Sequence, residues 1–143
     1  FFIAKLSPEK HLTFKWDEAL SFERGCASIQ YAHARACKLI AKSGKDIDSL
    51  EVADDWIPNE TEQDLVRQIA KFPQVVEDCA NKQRVHNITQ YSQDLASSFN
   101  KFYKSEQVIG SEVEDTRLIL VDRAKTTIKN ALDILGVAAP EKM

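Results

Sequence analysis

Between Arg84 and Glu106, Val85, Ile88, Ser92, Leu95, Phe99 and Phe102 recur at steps of mostly three and four residues. A half-buried strand would alternate every second residue, so this spacing predicts an amphipathic α-helix with those six residues as its buried seam. A seam of roughly five turns cannot bury itself and needs other helices packed on it.

The rest of the chain supplies them. From Trp16 to about Lys42 the pattern is helical, with a break near Arg24-Gly25. Within it, Ile29, Ala32, Ala36, Leu39 and Ile40 share one stripe, and alanines at 32, 34 and 36 keep the helix slim. Ser43–Asn59 reads as a polar connection with Trp56 and Ile57 as anchors to the core. Asn59-Glu-Thr-Glu62 has the spacing of a capping box and starts a helix to about Lys71. Phe72-Pro73 breaks that helix and opens a short one, Pro73–Asn81. Ser111-Glu-Val-Glu114 is a second candidate capping box, for a last helix Glu112–Leu135. That helix would bury Leu118, Val121, Ala124, Ile128, Ala131, Leu132 and Leu135, with Gly136 closing it in a left-handed turn. Phe1–Phe14 fits a helix end or a short strand before a Ser7-Pro8 turn. The expected fold is all-α, a helical bundle of five to six helices.

Composition agrees, and it narrows the chemistry. Four glycines and four prolines in 143 residues, with 43% hydrophobic and 29% charged side chains, suit one soluble helical domain. No apolar run approaches the roughly 20 residues of a membrane span. Cys26, Cys37 and Cys79 are odd in number and lack C-x-x-C spacing, which points to free thiols in a reducing cytoplasm. His33 and Cys37 can share a helix face, but two ligands do not make a metal site. The glycines are isolated, so no loop cradles a phosphate, and no Ser, Cys or His stands in a nucleophile's context. Asp54-Asp55 reads as a solvated turn. No catalytic residue is expected in this chain. It opens Phe1-Phe2-Ile3 without a methionine, which reads as a piece of a longer protein.

Charge is distributed unevenly. Lys45 to Asp64 holds eight acids against one lysine, whereas Asn81 to Lys104 holds Lys82, Arg84, Lys101 and Lys104 against Asp94 alone. Opposite the buried seam runs a stripe of Lys82, His86, Gln90, Gln93, Ser97, Asn100 and Lys104. Such a face can follow a phosphate backbone while its amides read base edges. Tyr103, beside Lys104 and near Asn100 and Gln107, is placed to stack on an unpaired base.

Several segments in one order carry a resemblance: Gln30-Tyr-Ala-His-Ala-Arg35, Val85-His86, Asp94-Leu95-Ala96, Phe99-Asn100-Lys101-Phe102-Tyr103, Val108-Ile109-Gly110, Arg117-Leu118-Ile119-Leu120, Leu135-Gly136 and Pro140-Glu141-Lys142-Met143. From about Thr13 onward the chain resembles the C-terminal, DALR-type anticodon-binding domain of arginyl-tRNA synthetases. The resemblance implies that residues 16–143 form a helical domain gripping the anticodon loop of arginine tRNA. Residues 1–15 would be a remnant of the junction with an upstream class I catalytic domain. It further implies a cytoplasmic parent enzyme that attaches arginine using ATP with Mg2+, with no cofactor in this portion and neither DNA nor membrane as partner. Tyr103 would contact the anticodon loop and Met143 would pack near the same bases. Gln107 stands where some relatives carry an aromatic residue, and Thr116 departs from the small residue preceding Arg117-Leu118 in the family motif. Lys82, Lys101 and Lys104 would meet phosphates. Gln30, Tyr31, His33 and Arg35 would serve the domain junction first and RNA second. The helical pattern alone also suits the corresponding domain of another class I synthetase, such as the cysteine enzyme, or a helical protein-interaction adaptor.

Overall fold

The computed structural model describes Phe1, Ile3–Lys5, Trp16 and residues 25–143. Among the described residues the regular structure is entirely helical: α1 (Ala27–Ser43), α2 (Glu60–Ala70), α3 (Phe72–Lys82), α4 (His86–Ser105) and α5 (Glu114–Ile134). Single 3₁₀ turns lie at Ile3–Lys5 and Ile47–Ser49. The all-α expectation is met. The expected turn at Ser7-Pro8 lies outside the described residues; of the expected break near Arg24-Gly25, Gly25 is described and forms a bend with Cys26 just before α1.

α4 is the centre of the bundle and packs against each of the other four helices. Its seam residues Ile88, Ser92, Leu95, Phe99 and Phe102 are buried, and Tyr91 and Ala96 widen the buried arc enough for neighbours on several sides. Tyr91 lies outside the expected seam. Its ring stacks on Phe72 at 5.7 Å, its hydroxyl donates to the Gln68 carbonyl at 2.7 Å, and burial pushes its pKa far up. Val85 is a correction: it precedes α4 and is 50% exposed, because the helix starts only after the turn at Gln83. Ile57 is another, fully outward at 87% exposure while its neighbour Trp56 is half-buried.

α1 presents Ile29, Ala32 and Ala36, all fully buried, so its backbone approaches α4 and α5 closely. α5 buries Leu118, Val121, Ala124, Ile128, Ala131 and Leu132, with Leu135 partly covered. The capping box of α2 is formed: the Asn59 side chain accepts the Glu62 N–H at 3.0 Å, and the Glu62 carboxylate accepts the Asn59 N–H at 2.9 Å. The Ser111 box does not form. Gly110, in a left-handed turn, directs its N–H to the Glu114 carboxylate, and the Ser111 hydroxyl donates back to the Val108 carbonyl. α5 therefore begins at Glu114 rather than Glu112.

One ion network fastens α2, α4 and α5 together. Arg117 donates to Glu62 at 2.7 Å, to Glu106 at 2.9 Å and to the Gln107 carbonyl at 2.7 Å. Glu106 also accepts from the Thr61 hydroxyl at 2.8 Å. Burial pushes the Glu106 carboxyl up, but hydrogen bonds from Thr61, Asn59 and Ser105 and the Arg117 charge outweigh it and hold the pKa below its ordinary value. Thr116, the departure from the family motif, is buried and accepts the Ala53 N–H at 2.9 Å, tying down the acidic connection.

Candidate nucleic-acid interface

The end of α5 decides where the site is built. Gly136 at φ 67° allows the 6→1 bond from the Val137 N–H to the Leu132 carbonyl and the 5→2 bond from the Gly136 N–H to the Asp133 carbonyl. This Schellman closure turns the chain so that residues 138–140 meet α1. The Gln30 amide donates to the Ala138 carbonyl at 2.8 Å, and His33 Nδ1 lies 2.9 Å from the Pro140 carbonyl. A carbonyl only accepts, so Nδ1 carries the hydrogen. Gln30 and His33 are three apart on one face of α1 and together clamp the tail.

Tyr31 and Arg35, four apart, form the neighbouring face. The Arg35 guanidinium lies 4.4 Å from the Tyr31 ring centroid and 4.8 Å from that of Tyr103. It donates to the Asn100 side-chain oxygen at 2.8 Å and to the Tyr31 hydroxyl at 3.3 Å. Two bonds and two π faces fix a side chain that would otherwise be mobile. Tyr103 packs one edge of its ring near Phe99, at 6.3 Å between centroids, and keeps 36% of its surface exposed.

The Tyr31–Arg35 pair has a cleft on each side. The larger, about 520 Å³, is lined by Tyr31, Arg35, Cys37, Tyr103, Glu141 and Met143, with Ala34, Lys38, Ala41 and Lys142 completing it. Met143, 62% exposed, and Tyr103 thus border one space although 40 residues separate them. Burial pushes the Cys37 thiol up, so it stays protonated at neutral pH and forms part of the weakly polar wall. The smaller cleft, about 380 Å³, is lined by Ser28, Tyr31, Arg35, Gln93, Ala96, Ser97, Asn100 and Lys104.

The structure therefore gathers Tyr103, Met143, Asn100, Lys104, Tyr31 and Arg35 around two adjoining clefts, with Gln30 and His33 holding the tail behind them. It places the remaining candidates elsewhere. Lys82 ends α3 and pairs with Asp78 at 3.4 Å. His86 opens α4 half-buried, its Nδ1 enclosed. Gln90 donates to Asp94 at 2.9 Å, so the first turns of the stripe are not free of acid. Lys101 faces Asp64 at 3.7 Å. Gln107 bonds the Ile109 carbonyl at 3.1 Å within its own loop. The sequence reading did not include the Arg35 stack or the Cys37 and Glu141 walls. The stack had one local signal, Tyr31 and Arg35 at i, i+4.

Residues 29–143 match the DALR anticodon binding domain family. The chain is 84% identical over its whole length to an arginine–tRNA ligase of Methanobrevibacter smithii and 57% identical to that of Methanothermobacter thermautotrophicus, covering 25% of each. It thus spans about a quarter of the length of these relatives. Among solved structures, the arginyl-tRNA synthetase of Thermus thermophilus superposes with a TM-score of 0.85 at 32% identity, over 97% of this chain and 25% of that one. With all but the first two residues of α1, and the whole of α4, α5 and the clamped tail, inside the matched residues, the chain belongs to the DALR anticodon binding domain family.

Proposed function

We propose that the larger cleft receives an unpaired base from the anticodon loop of arginine tRNA. In the parent protein this would position the tRNA for ATP- and Mg2+-dependent attachment of arginine, in the cytoplasm, by an upstream class I catalytic domain. Residues 1–15 would belong to the junction with that domain. The observation that carries the reading is the convergence of Tyr103 and Met143, distant in sequence, on one cleft beside a fixed arginine.

The lining suits a pyrimidine of one kind. The Tyr103 face offers stacking, worth about 1–3 kcal/mol for an unpaired base. Arg35 presents donors and Glu141 an acceptor on the same cleft. Cytosine carries two acceptors, O2 and N3, beside a donating N4 amino group, which complements that pair. Uracil carries a donor at N3 and an acceptor at O4, which opposes it. Arginine codons share a central G (CGN and AGR), so every arginine tRNA carries a cytosine in the middle of its anticodon.

The test is aminoacylation by the full-length enzyme carrying Tyr103→Ala or Met143→Ala. Tyr103→Ala should lower kcat/KM for arginine tRNA by roughly 5- to 150-fold, the equivalent of the stacking energy, and Met143→Ala should lower it as well. Efficiency within twofold of wild type for both would overturn the assignment. A panel of anticodon stem-loops separates arginine from cysteine specificity at the third anticodon base, which is G or U in arginine tRNAs and A in cysteine tRNA, since both carry the central cytosine.

A further inference from the structure

The smaller cleft has a different chemistry from the base cleft and shares a wall with it. Gln93, Ser97, Asn100 and Lys104 step by four, three and four along α4, so they form one stripe facing the Tyr31–Arg35 pair of α1. None of the described residues lining it is acidic. Lys104 is exposed and makes no ion pair among the described residues. Asn100 gives its side-chain oxygen to Arg35, which leaves the amide donor Nδ2 uncommitted. Arg35 has five N–H groups and commits two of them, to Asn100 and Tyr31. Ser97 is exposed and adds a hydroxyl.

Two cations and a fixed amide around about 380 Å³ select an anion with several acceptor oxygens. Because Tyr31 and Arg35 border both clefts, the two spaces lie side by side across one pair of side chains. We propose that the smaller cleft, built by Arg35, Ser97, Asn100 and Lys104, holds a backbone phosphodiester of the RNA strand whose base enters the larger cleft. The inference rests on the reading of the larger cleft as a base site. Arg35 then acts on both sides of the stack: its face orders the aromatic rings and its edge meets the phosphate. Lys104 supplies the matching charge from α4.

The experiment uses the full-length enzyme, arginine tRNA and a salt titration of affinity. Lys104→Gln and Ser97→Glu alter exposed side chains and leave the core untouched. Lys104→Gln should weaken binding about tenfold, as for a lost hydrogen bond to a charged group. It should also lower the slope of log affinity against log salt by about 0.7, the share of one single-strand phosphate contact. Ser97→Glu should weaken binding at least as much. A set of tRNAs each carrying one uncharged methylphosphonate in the anticodon loop identifies the contact. One linkage should weaken the wild type, and that same linkage should have no further effect on Lys104→Gln. Tyr103→Ala serves as the reference, weakening binding with a smaller change in the salt slope than Lys104→Gln, because Arg35 keeps its bonds to Asn100 and Tyr31. If Tyr103→Ala weakens binding while Lys104→Gln leaves affinity and slope unchanged, the phosphate proposal is overturned and the base cleft stands. If no linkage loses its effect in Lys104→Gln, the proposal is equally overturned. If neither Tyr103→Ala nor Lys104→Gln weakens binding, both readings fall.

Discussion

Replacing Gln30 and His33 by alanine would release the tail, and Met143 with it, from α1 while leaving Tyr103 in place. Two hydrogen bonds are lost, 2.8 Å to the Ala138 carbonyl and 2.9 Å to the Pro140 carbonyl. At about 1 kcal/mol net for each, the clamp holds the tail by roughly 2 kcal/mol, about a 30-fold bias toward the docked position. If Met143 acts only when docked, kcat/KM for arginine tRNA should fall by up to that factor, with kcat moving less than KM. Gln30→Ala alone, at a half-buried side chain, should give roughly a fivefold loss with little change in Tm. Each variant should be measured again in a Met143→Ala background, where the clamp should no longer matter. Hydrogen exchange over residues 137–143 should rise in the clamp variants while α4 stays protected, separating a loosened tail from a destabilised fold. Fully additive losses in the double-mutant cycle would refute the argument, because they would show that Gln30 and His33 act independently of Met143.

Other consequences concern the scaffold. Arg117→Ala strands two carboxylates, Glu62 almost fully buried, and should cost about 3–5 kcal/mol in denaturant unfolding, part of it regained by adding Glu62→Gln. Gln83 closes α3 in the left-handed region at φ 53°, so Gln83→Gly should stabilise by about 1 kcal/mol, read as a higher Tm. Thr116→Val removes the acceptor of the Ala53 N–H and should cost about 1 kcal/mol or more in the same assay. Glu106 and Glu114 both have pKa values held below the ordinary 4.5. Their stabilisation is therefore complete above that value and disappears as pH falls through the depressed folded-state values. An acid titration of stability should show the decline below about pH 5, and Glu106→Gln should flatten it.

Local chemistry made the helices legible. The Asn59–Glu62 box, the proline after Phe72, the Gly136 closure and the α4 seam each declare themselves within a few residues, where backbone geometry and periodicity decide. The misjudged positions lie at edges, where one turn changes the register. Val85 fell outside α4 because Gln83 bends the chain first, and Ser111 lost its box because Gly110 offered Glu114 a different N–H. Ile57 shows that an apolar side chain next to an anchor need not itself be one. For the site, the sequence pointed to Tyr103 and Met143 through resemblance. The two clefts were not legible, because their walls come from α1, α4 and the tail, and no periodicity links residues a hundred positions apart.

That separation has a further consequence for the hydrogen bond from Gln30 to Ala138, whose ends lie 108 residues apart. Contacts of such high order carry a large loop-closure cost. A chain still emerging from the ribosome, with α1 made and the tail unmade, presents only half of the base cleft. The intact cleft is thus a certificate of a finished fold: a ligand can meet both of its walls only when α1, α4 and α5 are already packed.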